Sequence, residues 1–205
     1  GPSSSGAVLD TDLQTGLDNL EAFDEPTIYL FPEGQGIAAA NNYYGLIKNA
    51  INQCAKLQDR FTLVDVYDQS SSSTSTNITN FRGLGGLTTN DNLNYAAAYY
   101  PNLKTNYDFQ YLDTATDVTI TTDGAAAAPV KLNTLLTSNS AVYYASKNAI
   151  RKLSPTLPPC SAVAGIYVTV DATRGVWKAP ANVSVNGIYD VTDFVTDAEQ
   201  ATMNI

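Results

Sequence analysis

Histidine is missing from all 205 residues. Its absence excludes Ser-His-Asp and Cys-His nucleophile systems. It also removes the commonest metal ligand and the usual proton carrier near neutral pH. Histidine-free enzymes work with carboxylate pairs or lysine, so the absence lowers the expectation of catalysis without ending it. Cysteine is scarce: Cys54 and Cys160 are the only two, too few for a disulfide framework in a chain this long. Charge is scarce too, at 15% of residues, with Ser, Thr and Asn in its place. Cations are outnumbered 11 to 20, giving a net charge of −9. Phosphate binding rests on Lys and Arg, so neither nucleic acid nor anionic lipid is an expected partner. No run of about 18 apolar residues exists, so no helical membrane span is expected, and no secretion signal is read.

What is present reads as a globular domain with an ordinary 44% apolar content. Residues 1–6, Gly-Pro-Ser-Ser-Ser-Gly, look like a cleaved tag. Residues 7–205 are expected to form one α/β domain. A short amphipathic piece falls at 17–23. The run Thr27-Ile28-Tyr29-Leu30-Phe31 predicts a strand buried on both faces. Ala40, Tyr43, Ile47, Ala50, Ile51, Cys54 and Leu57 recur at spacings of three and four, predicting an amphipathic helix over 38–57. Residues 60–67 predict a second buried strand, completing a βαβ unit. The Ser/Thr-rich stretch 68–80 predicts a low-complexity loop. Arg82-Gly83-Leu84-Gly85-Gly86 lacks the strand and the Lys-Ser/Thr of a nucleotide loop, and predicts a plain turn. Residues 95–101 predict a third core strand ended by proline.

The character then changes. Tyr107–111 and 117–121 alternate with period two, predicting strands with one wet face in a small β excursion around 105–132. Residues 125–128 predict a loop. A helix follows at 139–153, with Ala141, Tyr144, Ala145, Ala149 and Leu153 on one face and Lys147, Arg151 and Lys152 toward its end. A further helix is read at 161–170, where Ala164-Gly165 would allow close approach to a neighbour, although the β-branched Ile166, Val168 and Val170 also suit a strand. Residues 188–191 predict a short strand. Thr196-Asp197-Ala198-Glu199-Gln200 predicts a helix start.

The most distinctive string is Asp171-Ala172-Thr173-Arg174-Gly175-Val176-Trp177-Lys178-Ala179-Pro180-Ala181-Asn182. It holds the chain's single tryptophan. Gly175 supplies a bend through positive φ. Ala179-Pro180 forces an extended step, and Asn182 suits a turn or cap. A buried Trp177 would cover about 150–250 Å², and the favoured expectation is that it plugs the core, with Lys178 laid along its ring. Direct partner contact is the other expectation.

This string, with Pro158-Pro159-Cys160-Ser161-Ala162-Val163-Ala164-Gly165-Ile166-Tyr167 before it, resembles the signature of contractile tail sheath proteins of phages and phage-tail-like injection particles. The likeness extends loosely to Thr196–Gln200, and upstream to 28–31, 38–57, 59–66 and 96–101. The resemblance implies a mostly parallel sheet sandwiched by helices, of the topology called subtilisin-like in this family. It singles out Gly165, Arg174, Gly175, Trp177, Lys178, Pro180 and Asn182 as signature residues of structural weight. No catalytic, cofactor or metal site is implied. It implies a subunit, assembled in the bacterial cytoplasm, that polymerises helically around an inner tube and contracts to drive that tube through an envelope. Its implied partners are neighbouring sheath subunits, the tube protein, and baseplate and terminator proteins. The family's N-terminal arm and C-terminal domain have no counterpart here, so a monomer is expected for the fragment. Arg174 and Lys178 are candidates for lattice ion pairs, each worth under about 1 kcal/mol when exposed.

Two rival readings stay open. The pairs Asp65/Asp68 and Asp10/Asp12 could serve a carboxylate hydrolase, although such pairs are usually solvated loop residues. Thirteen tyrosines among Asn, Thr and Ser could line a groove for sugars or cell surfaces. An exposed row of rings would favour that reading.

Overall fold

The computed structural model describes residues 7–67, 74–87, 89–122 and 125–203. In chain order the elements are α1 (Asp10–Leu20), β1 (Ile28–Tyr29), α2 (Ala40–Leu57), β2 (Phe61–Asp65), α3 (Thr74–Gly83), β3 (Ala96–Tyr99) and β4 (Leu103–Thr105). There follow β5 (Asp117–Val118), β6 (Thr121–Thr122), β7 (Ala125–Ala126), β8 (Val130–Lys131), α4 (Leu132–Ser138) and α5 (Ser140–Ile150). The chain closes with β9 (Thr156–Leu157), α6 (Cys160–Arg174), β10 (Ile188–Val191) and α7 (Asp197–Met203). Two compact units result. The first takes in Gly1–Leu103, Leu157–Asn186 and Val191–Ile205; the second takes in Lys104–Thr156 and Gly187–Asp190.

The fold of the first unit is α/β, built on a parallel sheet ordered β1-β2-β3. Ile28 pairs with Phe61, and Thr62 pairs with Ala96. Strand β2 is central and buried almost throughout, as its continuous apolar run requires. Its side chains alternate between two faces. Thr62 and Val64 face α2: the Thr62 hydroxyl lies 3.2 Å from Cys54 Sγ, and Val64 joins the core cluster. On the other face the Asp65 carboxylate accepts the Cys160 N–H, at the start of α6, at 2.8 Å. The sheet is thus covered by a helix on each face.

The stripe predicted on α2 forms the core. Its Tyr43, Ile47, Ala50, Ile51 and Cys54 are all at most 1% exposed, and Tyr44, outside the predicted stripe, is fully buried beside them. Arg60 locks α1 to this core from within. Its guanidinium donates to the Leu20 and Phe23 carbonyls at 3.1 and 2.9 Å and to the Tyr29 hydroxyl at 2.5 Å. Tyr29 in turn donates to Gln53, which donates to the Leu17 carbonyl. The ion pair with neighbouring Asp59, together with these oxygens, holds the buried guanidinium protonated.

Several sequence expectations need correcting. Residues 74–80 are helical, as the start of α3, where a loop was expected; the rest of the expected loop lies outside the described residues. Local propensity is poor there, but Phe81 packs on the core and meets Tyr44 edge-on at 5.7 Å. Tertiary packing supplies what propensity does not. Residues 106–112 form no strand: five consecutive exposed residues, 106–110, offer no face to bury. Strand β1 is two residues long, shorter than its apolar run. Gly85 and Gly86 both adopt positive φ in the predicted turn.

In the second unit, β5 pairs antiparallel with β8, and β6 with β7. A β excursion was expected here, but residues 125–126, read as part of a loop, form β7 against β6, and the unit also takes in α4 and α5. Its small core holds Leu132 and Leu135. The sheet ordered β10-β4-β9 contributes the Lys104–Asp190 ion pair at 2.9 Å. On α5 the predicted apolar face is the exposed one: Ala141, Tyr144, Ala145 and Ala149 all face water. Alanine gives a helix little facial preference. The rotation is set instead by Asp113, which accepts from Tyr143 at 2.7 Å and from Lys147 at 3.0 Å.

Candidate assembly surface

The signature residues lie on α6 and the loop that follows it, all in the first unit. Helix α6 begins at Cys160, whose N–H is one of the orphan donors of a helix start. Pro159, at the cap position, supplies no side-chain bond. Asp65 fills that role from the end of β2. Burial raises the Asp65 carboxyl above its ordinary range, while the bond from Cys160 N–H opposes the shift. The same burial, with Asp65 beside it, pushes the Cys160 thiol up. Both cysteines are free and buried. Cys160 is the first helical residue.

The helix is tied to β2 through the Cys160 N–H, and Val170 further along it is 4% exposed. Tyr167 Oη lies 2.7 Å from Tyr99 Oη, tying mid-helix to β3. Gly165 faces open space, with nothing within 4 Å of where a Cβ would stand. The close approach expected at this glycine is therefore not made inside the chain. Val168, on the outer side, is 63% exposed.

Arg174 ends the helix, a favourable place for a cation. Gly175 then takes φ 88 and ψ 158, a combination open essentially to glycine alone. A Cβ at Gly175 would stand 2.4 Å from Trp177 Cη2 and Cζ2, so the indole lies over the glycine backbone. The turn is closed by Lys178 N–H donating to the Gly175 carbonyl at 3.1 Å. The Lys178 ammonium curls onto its own loop, donating to the carbonyls of Ala179 at 2.6 Å and Ala181 at 3.3 Å. Pro180 is exposed, and Asn182 adopts the left-handed region at φ 56.

Trp177 does not plug the core. It is 86% exposed, and Val176 before it is 80% exposed. The single tryptophan of the chain is held out in water by a turn whose geometry needs a glycine. Phe194, which the sequence reading passed over, is 84% exposed. A lone aromatic between Asp193 and a β-branched run was the available signal.

The carboxylate-pair reading finds no support in this geometry. Asp65 is buried and acts as a helix cap, and Asp68 lies outside the described residues. Asp10 and Asp12 sit in the first turn of α1, where acidic residues offset the helix dipole. Among the described residues, no three metal-ligating side chains are gathered. A crevice of about 460 Å³ opens beyond the carboxyl ends of β2 and β3, the usual ligand position in α/β sheets. Val66, Phe81, Ala98 and Val191 line it, and its carboxylate, Asp193, is already engaged by Tyr100 at 2.7 Å and Thr192 at 3.2 Å.

The first unit is therefore an α/β scaffold that displays apolar residues on a fixed loop. No family model matches the sequence, and no curated protein matches it. Among solved structures, the chain is similar to one in the cryo-EM structure of the anti-feeding prophage baseplate, 6-fold symmetrised. The identity is 23% and the TM-score 0.49, over 98% of this chain and 38% of that one. The chain thus spans less than half the length of that protein.

Proposed function

We propose that this chain is a structural, non-enzymatic piece of a contractile phage-tail-like particle, and within it a subunit of the sheath. The particle is assembled in the bacterial cytoplasm, and its sheath polymerises around an inner tube. The observation that carries the reading is the exposed Val176-Trp177 pair, held between Arg174 and Lys178 by the Gly175 turn. Large apolar side chains displayed together mark interaction sites. Tryptophan and arginine are the residues most enriched where binding energy concentrates. The string that carries the sheath resemblance is thus the string that leaves its tryptophan uncovered.

A lattice subunit needs a core that moves as one body and contacts that repeat without closing, since such contacts generate helical filaments. The buried β2 strand with a helix on each face supplies such a core. Extended and contracted lattices can then be two packings of one rigid unit, separated by a barrier. The partners on this reading are neighbouring subunits, the tube, and the baseplate and terminator proteins. Gly165, open on its outer side, and the loop through Pro180 and Asn182 are then faces toward such partners. The test is assembly of the gene's complete polypeptide beside its tube protein, with and without Trp177→Ala. Sleeved tubes from the parent and bare tubes from the variant are expected. Equal decoration by both would remove Trp177 from the interface.

A further inference from the structure

The second unit holds a pocket that the assembly role does not use. Its volume is about 250 Å³, and its lining is mainly polar, enough for one small ring. We propose that it is a saccharide site, taking a neutral sugar ring between Phe109, Asp108, Asp113, Lys147 and Arg151.

The framework is fixed before any ligand arrives. Asp113 accepts from Tyr143 at 2.7 Å and from Lys147 at 3.0 and 3.2 Å. The bond from Tyr143, then that from Lys147, holds the Asp113 carboxyl below its ordinary range. The Lys147 ammonium also sits 5.1 Å from the Tyr111 ring centre and 5.5 Å from that of Tyr143. Ion pair and rings together leave it few rotamers, so little ordering is left for a ligand to cost.

Two further groups face the same pocket with capacity to spare. Among the described residues, neither the Asp108 carboxylate nor the Arg151 guanidinium has a hydrogen bond or ion pair. Phe109 lines the pocket as well and is 48% exposed. Two carboxylates and two cations make the pocket neutral overall, so a phosphate or a carboxylate ligand would meet as much repulsion as attraction. An apolar ligand would strand the Asp108 carboxylate and the Arg151 guanidinium. A sugar ring answers each requirement: its hydroxyls both donate and accept, and its C–H face lies against an aromatic ring. The exposed rings of Tyr107, at 56%, and Tyr144, at 59%, belong to the same unit. This inference stands apart from the sheath reading, since it concerns the other unit and is measured on the lone chain.

The experiment is saturation-transfer NMR on the chain. The probes are methyl α-glucoside, methyl β-galactoside, methyl α-mannoside and N-acetylglucosamine at millimolar concentration, with glucuronate and inorganic phosphate beside them. Transfer to at least one neutral sugar is expected. Phe109→Ala and Arg151→Gln should each weaken that sugar's titrated Kd by about tenfold or more. Both positions are at the surface, and thermal melting of each variant checks that it folds; if one does not, the other decides. Transfer to no neutral sugar would overturn the proposal, as would binding of glucuronate or phosphate alone. Neutral-sugar binding that both folded variants keep would place the site elsewhere and overturn it too.

Discussion

Replacing Trp177 with alanine separates the two roles a lone tryptophan can have. A core tryptophan covers about 150–250 Å², and its truncation costs about 3–5 kcal/mol. Trp177 is 86% exposed, which leaves about 20–35 Å² covered. At about 25 cal/mol per Å² that cover contributes about 0.5–0.9 kcal/mol, an upper bound. The Trp177→Ala chain should therefore unfold in urea within about 1 kcal/mol of the parent, with an unchanged m-value. Because the chain has a single tryptophan, fluorescence reports this site alone. The native emission should be that of an indole in water, and acrylamide should quench it nearly as well before unfolding as after. A loss of about 3 kcal/mol or more, or a shielded native emission, would refute the exposed placement and return Trp177 to the core.

Three further outcomes follow from the same contacts. Gly175→Ala should destabilise the chain by about 1–3 kcal/mol, because φ 88 with ψ 158 is closed to alanine; a neutral melt would mean the turn is not held as described. Asp65→Ala should cost about 1–3 kcal/mol by stranding the Cys160 N–H, whereas Asp65→Asn keeps an acceptor there and should cost less. The raised Asp65 pKa fixes the sign with pH. Its contribution is fully present below the unfolded value of about 3.9 and is lost as pH rises through the folded value. Parent stability should therefore fall relative to Asp65→Asn across that window, and an opposite slope in pH-dependent urea melts would contradict the burial. Arg60→Ala should cost at least about 2 kcal/mol, since the Leu20 and Phe23 carbonyls and the Tyr29 hydroxyl lose their donor; a calorimetric Tm equal to the parent's would sink that network.

The βαβ core was legible because burial there is decided by pattern. Tyr43, Ile47, Ala50 and Cys54 keep helical spacing and form one buried face. Phe61–Asp65 has no polar face to leave in water and sits between two helices. The helix read at 161–170, which in fact runs over 160–174, and the strand at 188–191 followed from the same kind of reading, as did the start of α7. There Thr196 and Glu199 exchange bonds, Glu199 N–H to the Thr196 hydroxyl at 3.2 Å and Thr196 N–H to the Glu199 carboxylate at 2.8 Å, in a capping box.

Where packing partners decide, pattern reading failed. The helix at Thr74–Gly83 exists because Phe81 reaches Tyr44, a contact between residues far apart in sequence. The alternation at Tyr107, Phe109 and Tyr111 looked like a strand, but among the described residues no strand forms there, and Phe109 and Tyr111 line a pocket instead. On α5, Asp113 chose which face turns inward, and a lone Asp in a loop carries no such signal. Trp177 was misplaced for a different reason. Tryptophan is usually covered, and sequence does not say whether the cover comes from its own chain or from another.

The most direct test of the sheath reading is negative-stain electron microscopy of the gene's complete polypeptide, co-expressed with its tube protein. Hollow helical sleeves, or rods sheathed around a tube, are the predicted result. Dispersed particles beside bare, polymerised tubes would contradict it: the signature would then sit on a chain that builds no lattice.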